Sequence, residues 1–140
     1  MTRPRIGVTP GDPAGIGPDI CLMAFKKFEN ETDLLFFTNS SLMKQRAAIL
    51  GIDVEINLTG FERGKLNIVD SPLDEIPEPS KPTERSAEFV IKSLSTALKA
   101  CQAKEVDAIV TGPVNKALIN RGGFKFTGHT EWFAEATATK

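Results

Sequence analysis

The sequence has few of the residues that cross-link a chain or ligate metals. Its 140 residues include two cysteines and one histidine. Cys21 and Cys101 are 80 positions apart with no CxxC pair, which argues against a disulfide framework and a zinc site. Both lie on apolar stripes, a pattern typical of small core residues. A lone histidine cannot form a metal site, because zinc and hard cations take three or more protein ligands.

Long apolar runs and an excess of charge are also missing. No segment approaches the roughly 20 apolar residues of a membrane span, and Gly11, Asp12 and Pro13 interrupt the first apolar stretch, so there is no signal-peptide core. Seventeen Lys and Arg nearly balance eighteen Asp and Glu, which argues against nucleic-acid binding. The sequence predicts a globular, cytoplasmic protein that binds neither nucleic acid nor membrane.

Alternating short apolar runs and helical periodicities predict βαβ units and a parallel sheet. Strands are predicted over 6–9, 33–38, 54–58, 66–69 and 107–111. Helices are predicted over 18–28, 41–50, 83–101 and 115–121, and from about residue 130. Pro18 fits the first helical position, Ser40 or Ser41 the cap of the second helix, and Thr83 the cap of the third. The third helix has the clearest apolar stripe, formed by Ala87, Val90, Ile91, Leu94, Leu98 and Cys101.

The first candidate loop runs from Thr9 to Pro18, with the sequence TPGDPAGIGP. It follows a predicted strand, and in a parallel sheet ligands bind where the strands end. Its glycines permit close backbone approach, and the following helix N-terminus favours an anion. The spacing matches neither a dinucleotide nor a phosphate-loop motif, so a tight turn is an equal alternative. Asp12 fits a helix cap as well as it fits a ligand contact.

Two further loops carry candidate residues. Lys116 falls in the first turn of a predicted helix, where its charge opposes the helix dipole, so a partner anion would explain it and a solvated lysine is the alternative. His129 is the only histidine, and its imidazole can pair with phosphate or carboxylate, although a structural histidine is the alternative. Thr130 could serve as a helix cap, and Glu131 as a first-turn acid.

Taken together, these segments resemble the 4-hydroxythreonine-4-phosphate dehydrogenase family of vitamin B6 synthesis. The resemblance rests on residues 9–18 (TPGDPAGIGP), 109–116 (IVTGPVNK) and 126–131 (FTGHTE), in the family's order and spacing. It runs through the whole chain, and Asp19 stands where the family usually has Glu. The family is more than twice as long as this chain, which looks like its amino-terminal part.

The resemblance implies an α/β fold similar to isocitrate and isopropylmalate dehydrogenases, with a parallel-rich sheet, flanking helices and an active site between two lobes of a homodimer. Residues 1–125 would form the first lobe, incomplete without carboxyl-terminal strands, and residues 126–140 would begin the cleft segment. His129 and Thr130 match the family's substrate-binding pair, while Asp12 and Lys116 are further cleft candidates. The family's three metal-binding histidines and most NAD contacts map outside this chain, so no metal ligand and no catalytic residue is assigned within it.

The implied reaction is the oxidation of 4-phosphooxy-L-threonine by NAD with a divalent metal (Zn, Mg, Mn or Co), followed by decarboxylation to 3-amino-2-oxopropyl phosphate in pyridoxal phosphate synthesis. We expect the 140-residue chain to be inactive alone. One alternative is a paralogous dehydrogenase of another phosphorylated hydroxy acid, such as 4-phosphoerythronate or 4-phosphothreonate. Another is a non-catalytic module that binds a phosphorylated ligand.

Overall fold

The computed structural model describes residues 3–138 and contains one five-stranded parallel sheet. The strands are β1 (Arg5–Thr9), β2 (Asp33–Thr38), β3 (Ile56–Asn57), β4 (Leu66–Asp70) and β5 (Ala108–Thr111). Their order is β3-β4-β2-β1-β5, and each neighbouring pair is parallel. The helices are α1 (Gly17–Phe28), α2 (Ser40–Leu50), α3 (Ala87–Gln102), α4 (Lys116–Arg121) and α5 (His129–Ala136), with a 3₁₀ turn at Glu84–Ser86. The predicted parallel α/β architecture is confirmed.

Strand β2 is buried on both faces of the sheet, as its continuous apolar run predicts. Phe36 packs into a cluster with residues of α1 and α2, whereas Leu35 and Phe37 pack against α3. Successive side chains of a strand point to opposite faces, so α1 and α2 cover one face and α3 covers the other. A third cluster joins α3 to Ile119 of α4 and to Phe126, which anchors the last part of the described chain against α3.

The predicted apolar stripe of α3 is confirmed in part: Ala87, Val90 and Leu94 are buried, whereas Ile91, Leu98 and Cys101 are only half-buried. The buried face also includes Ala97 and Ala100, which the prediction left out. Thr83 caps the 3₁₀ turn that leads directly into α3, because its side chain accepts a hydrogen bond from the amide of residue 85 at 3.2 Å.

Several element boundaries differ from the sequence prediction, those of α1 and β3 among them. Helix α1 begins at Gly17, so Pro18 occupies the second helical position instead of the first, and Ile20 and Phe28 of this helix are exposed. Strand β3 is only two residues long, and Leu58 is exposed. The chain turns immediately after β3, since the Asn57 amide donates to the carbonyl oxygen of residue 59 at 3.1 Å, and the alternating apolar pattern therefore does not continue as a strand.

The predicted cap of α2 at Ser40 or Ser41 is wrong, because both residues lie inside the helix. Asn39 is the cap: its backbone is extended, and its side-chain oxygen accepts a hydrogen bond from Leu42 N at 3.0 Å. Its amide group also donates to Ser71 O at 2.8 Å, which ties the start of α2 to the chain after β4. Asn39 therefore combines a helix cap with a long-range contact.

Strand β5 forms one edge of the sheet. It pairs with β1, where Val110 is the register partner of Val8. Val8 is buried on the face covered by α1, whereas Val110 is 55% exposed on that same face. Within the part of the chain that the structure describes, β5 thus leaves an apolar side chain uncovered beside α1.

Mutation distinguishes Asn39 from Ser40 as the cap of α2. We expect Asn39→Ala to lower the free energy of unfolding by about 0.5–2 kcal/mol through the lost cap, and further through the lost buried hydrogen bond to Ser71 O. Ser40→Ala removes only an exposed hydrogen bond to Asp70 and should cost less. Urea unfolding followed by circular dichroism measures both, and a larger effect of Ser40→Ala would contradict the assignment.

Candidate functional site

The sheet has a topological switch point between β1 and β5. Helix α1 follows the carboxyl end of β1 on one face, whereas α4, which follows the carboxyl end of β5, packs with α3 of the other face, so the two connections diverge at the carboxyl ends of these strands. Ligands of open parallel sheets bind in the crevice that this divergence creates. The first loop (residues 10–16) and the second loop (residues 112–115) start at this point, and the third loop (residues 122–128) connects α4 to α5.

The first and second loops are in direct backbone contact. The amide of Asp12 donates to Pro113 O at 3.0 Å. Gly11 has a φ of +87°, and a β-carbon on it would overlap the Pro113 carbonyl. A β-carbon on Gly112 would likewise overlap the carbonyl of Pro10. The two loops can approach this closely only because glycine occupies both positions.

The side chain of Arg46, which projects from α2, holds the first loop from the other side. The residue is 2% exposed, and its guanidinium donates to Pro13 O at 2.9 Å and to Gly15 O at 3.0 Å. It also donates to the Asp19 carboxylate at 2.9 Å. A buried charge is tolerated when it is paired and hydrogen-bonded in this way.

Sequence reasoning missed Arg46, although a signal was present. Positions 42, 43, 46 and 47 lie on one face of α2, and the other three members are the buried Leu42, Met43 and Ala47. A charged residue on an apolar helical stripe needs a buried partner, so the pattern predicts a hydrogen-bonded arginine but does not identify what it contacts.

Asp12 shapes the first loop and does not cap α1. Its carboxylate accepts a hydrogen bond from Ala14 N at 2.8 Å, whereas the cap position of α1 is Ile16, which makes no side-chain cap. The helix-cap interpretation is therefore wrong. Burial raises the pKa of Asp12, and the Ala14 amide and the charge of Arg46 oppose that shift. The predicted ligand contact of Asp12 stays a prediction.

Lys116 and His129 are the first residues of α4 and α5. Lys116 Nζ would lie 3.8 Å from a β-carbon on Gly128, the residue before His129. The pKa of His129 is lowered from its usual 6.5, first because the ring is partly buried and second because the Lys116 charge repels its protonated form. Among the described residues, the buried Nε2 atom of His129 has no hydrogen-bond partner. The ring packs edge-on against Phe126 with centroids 5.6 Å apart.

Gly128 separates a basic from an acidic group. A β-carbon on Gly128 would lie 3.8 Å from Lys116 Nζ and 2.6 Å from Glu131 Oε2.

Thr130 is exposed and is the second residue of α5, so its interpretation as a helix cap is wrong. Glu131 is a first-turn acid, as predicted. Asp12 is connected to Lys116 through the second loop, because its amide donates a hydrogen bond to the carbonyl of Pro113, three residues before Lys116.

Residues 3–138 contain neither a metal-binding cluster nor a membrane-spanning helix. Within that range no three His, Cys, Asp or Glu side chains are grouped so that they could hold a metal ion. The same residues include no helix long and apolar enough to cross a membrane. A cavity of about 750 Å³ is lined by residues between Pro72 and Lys92, and none of the four candidate residues lines it.

Comparison with known proteins identifies related sequences. The family model described as pyridoxal phosphate biosynthetic protein PdxA matches residues 29–140. The 4-hydroxythreonine-4-phosphate dehydrogenase of Vibrio cholerae is 40% identical over 99% of this chain and 44% of its own length. The enzyme of the same name from Acidithiobacillus ferrooxidans is 38% identical over 97% of this chain and 43% of its own length. The chain thus spans less than half the length of these relatives.

Solved structures share the fold. The 4-hydroxythreonine-4-phosphate dehydrogenase of Klebsiella pneumoniae has a TM-score of 0.89 at 24% identity, covering 99% of this chain and 45% of that chain. The terephthalate 1,2-cis-dihydrodiol dehydrogenase of Burkholderia xenovorans has a TM-score of 0.81 at 22% identity, and the match covers 99% of this chain and 42% of that enzyme's chain. The expectation that the chain covers only part of a larger α/β fold is confirmed.

The last glycine of the first loop and the first residue of α1, Gly15 and Gly17, should differ in their tolerance of a side chain. A β-carbon on Gly17 would overlap the carbonyl of Pro10, whereas one on Gly15 would lie 3.4 Å from its nearest neighbour, Asp12 O. Helix propensity favours alanine over glycine by about 1 kcal/mol. We nevertheless expect Gly17→Ala to destabilise the chain by about 1–3 kcal/mol through overpacking, and Gly15→Ala to be near neutral. Paired urea unfolding curves test this, and equal midpoints would show that the loop relaxes freely.

Proposed function

Because the chain belongs to the pyridoxal phosphate biosynthetic protein PdxA family, we propose that it is the amino-terminal portion of a 4-hydroxythreonine-4-phosphate dehydrogenase. The proposed substrate is 4-phosphooxy-L-threonine, which NAD oxidises before decarboxylation yields 3-amino-2-oxopropyl phosphate. The proposal includes a cytoplasmic homodimer with residues 1–125 in one lobe and residues 126–140 at the start of the cleft segment.

The observation that carries the proposal is the unpartnered Nε2 atom of His129 beside the Lys116 charge. An anion at this position would receive a hydrogen bond from the imidazole and a favourable Coulomb interaction from the ammonium group. Thr130 is exposed one residue further along α5 and adds a hydroxyl donor. These three groups together suit the phosphate of a small phosphorylated substrate.

The first and second loops support the site by their rigidity. The Asp12 amide bonds Pro113, which fixes the second loop just before Lys116 enters α4. Arg46 fixes the first loop from the side of α2. A binding group that is already held in place loses less conformational freedom when the ligand arrives. The proposed role of these loops is to orient the substrate and its binding groups.

NAD would supply hydride acceptance, and a divalent metal (Zn, Mg, Mn or Co) would stabilise negative charge on the reacting oxygen. Residues 3–138 do not assemble a three-ligand set for such a metal, so we assign none of the candidate residues to it. The proposed contribution of this chain is to bind and orient the phosphorylated end of the substrate.

Two alternatives are consistent with the same geometry. The fold also occurs in a dehydrogenase named for a terephthalate dihydrodiol, so the fold alone does not select the substrate. His129 and Lys116 would bind 4-phosphoerythronate or 4-phosphothreonate as readily as 4-phosphooxy-L-threonine, because all three carry a phosphate. A module that binds a phosphorylated ligand without turnover would use the same pair.

The substrate-binding role of His129 can be tested on this chain. We expect His129→Ala to weaken binding of 4-phosphooxy-L-threonine about 10- to 150-fold, the equivalent of about 1.5–3 kcal/mol for one hydrogen bond to a charged group. His129→Asn, which keeps an amide donor, should recover part of the affinity. Calorimetric titration at pH 7 gives both dissociation constants, and unchanged affinity in His129→Ala would refute the role. Parallel titrations with 4-phosphoerythronate and 4-phosphothreonate rank the alternative substrates.

The same titrations have an expected pH dependence. A bound anion raises the pKa of His129 from its lowered value in the free chain, so binding takes up a proton. Affinity should therefore increase as the pH falls through the range between the free and bound pKa values. The phosphate group titrates as well, and the difference between the unsubstituted chain and His129→Ala isolates the histidine contribution.

We expect the 140-residue chain by itself not to catalyse the oxidation of 4-phosphooxy-L-threonine. It spans 44% of the length of its Vibrio cholerae relative, and its described residues do not form a metal site. We expect no NADH above background from 4-phosphooxy-L-threonine with Mg²⁺, Mn²⁺ or Zn²⁺, measured by absorbance. The Vibrio cholerae enzyme is the positive control, and turnover by the purified chain would contradict the prediction.

A further inference from the structure

The side chain of Asn120 joins α4 to the third loop. Its amide nitrogen donates to Lys116 O and to Phe126 O, each at 2.8 Å. Its side-chain oxygen accepts a hydrogen bond from Phe126 N at 2.9 Å. One side chain therefore binds both backbone groups of Phe126 and the backbone of the residue one helical turn earlier.

These bonds connect Asn120 to both residues of the proposed anion site, directly to Lys116 and through Phe126 to His129. Lys116 belongs to that site directly, and Phe126 is 1% exposed and contacts the His129 ring at 5.6 Å between centroids and 88° between planes. Phe126 also packs in the cluster that contains Ile119 of α4. The position of the His129 ring relative to α4 thus depends on how the third loop is attached to that helix.

We propose that Asn120 is a positioning residue that holds His129 against Lys116. The structural observation stands by itself, and its importance for ligand binding rests on the proposed function. The role of Asn120 is to fix the distance between two groups that must contact one phosphate.

If Asn120 served only to stabilise helix α4, its substitution by alanine would have a different effect. Asparagine is a weaker helix former than alanine, so Asn120→Ala should favour α4 as an isolated element. The substitution also removes all three hydrogen bonds to Lys116 and Phe126. Any loosening of the His129 site in this variant would then come from the lost bridge and not from a weakened helix.

His129 itself supplies the measurement, because the ring protons of the only histidine are unambiguous in a proton NMR spectrum. The charge that acts on this ring is Lys116 of α4, and the Glu131 carboxylate of α5 lies across Gly128 from the Lys116 ammonium. Replacing Lys116 by alanine should raise the pKa of His129, because a repelling charge is removed while Glu131 stays.

The experiment measures how much Lys116→Ala raises the pKa of His129, once in the chain with Asn120 and once in the Asn120→Ala variant. In the Asn120→Ala background, Lys116→Ala should raise the pKa of His129 by at most about half as much, because the Coulomb interaction weakens as the charges separate. Gln102→Ala is the matched control: it also removes an exposed amide from a helix, but at the end of α3, and it should leave the increase unchanged.

An equal increase in both backgrounds would overturn the positioning role. If Asn120→Ala does not fold, Asn120→Gln, which displaces the amide by one methylene, provides the same comparison with the same two outcomes. Titration with inorganic phosphate tests the proposed function separately. Absence of any shift of the His129 ring signals would count against the anion site, whereas the pKa comparison would still decide the role of Asn120.

Discussion

The close backbone approach at the ends of β1 and β5 is the constraint on which the rest of the site depends. The carbonyl of Pro10 occupies the space that β-carbons on Gly17 and Gly112 would need. These contacts let the first loop lie directly on the second, which leads into α4. A side chain at Gly112 would separate the two loops, and Lys116 would move with the second of them, whereas a side chain at Gly17 would push the first loop away from α1.

A buried charge stabilises this arrangement from the opposite side. The guanidinium of Arg46 satisfies two carbonyls of the first loop that would otherwise be buried without donors. The Asp19 carboxylate compensates its charge at 2.9 Å. Removing the arginine would leave a half-buried carboxylate and two loop carbonyls without this partner, which costs more than the net value of the bonds themselves. The first loop and α2 therefore form one structural unit.

Local sequence signals predicted the strands, the stripe of α3 and the three loops, because periodicity and turn residues depend on neighbouring positions. The residues that the sequence did not predict act over longer distances. Arg46 contacts residues about 30 positions away, and Asn39, which the sequence-based prediction did not select although asparagine caps helices as well as serine does, also contacts the distant Ser71. Asn120 shows no signal at all in the sequence, because its partners are backbone atoms. The roles assigned to His129 and Thr130 rest on the family resemblance.

The hydrogen bonds of the first loop have a kinetic consequence. The carbonyls of residues 13 and 15 accept from Arg46, and the carbonyl of Ala14 accepts from Ser80 N at 2.8 Å. The loop is thus ordered before any ligand arrives, and complex formation does not wait for it to close. Ligands that share a phosphate should then associate at similar rates, so selectivity among them would be expressed in how long each remains bound.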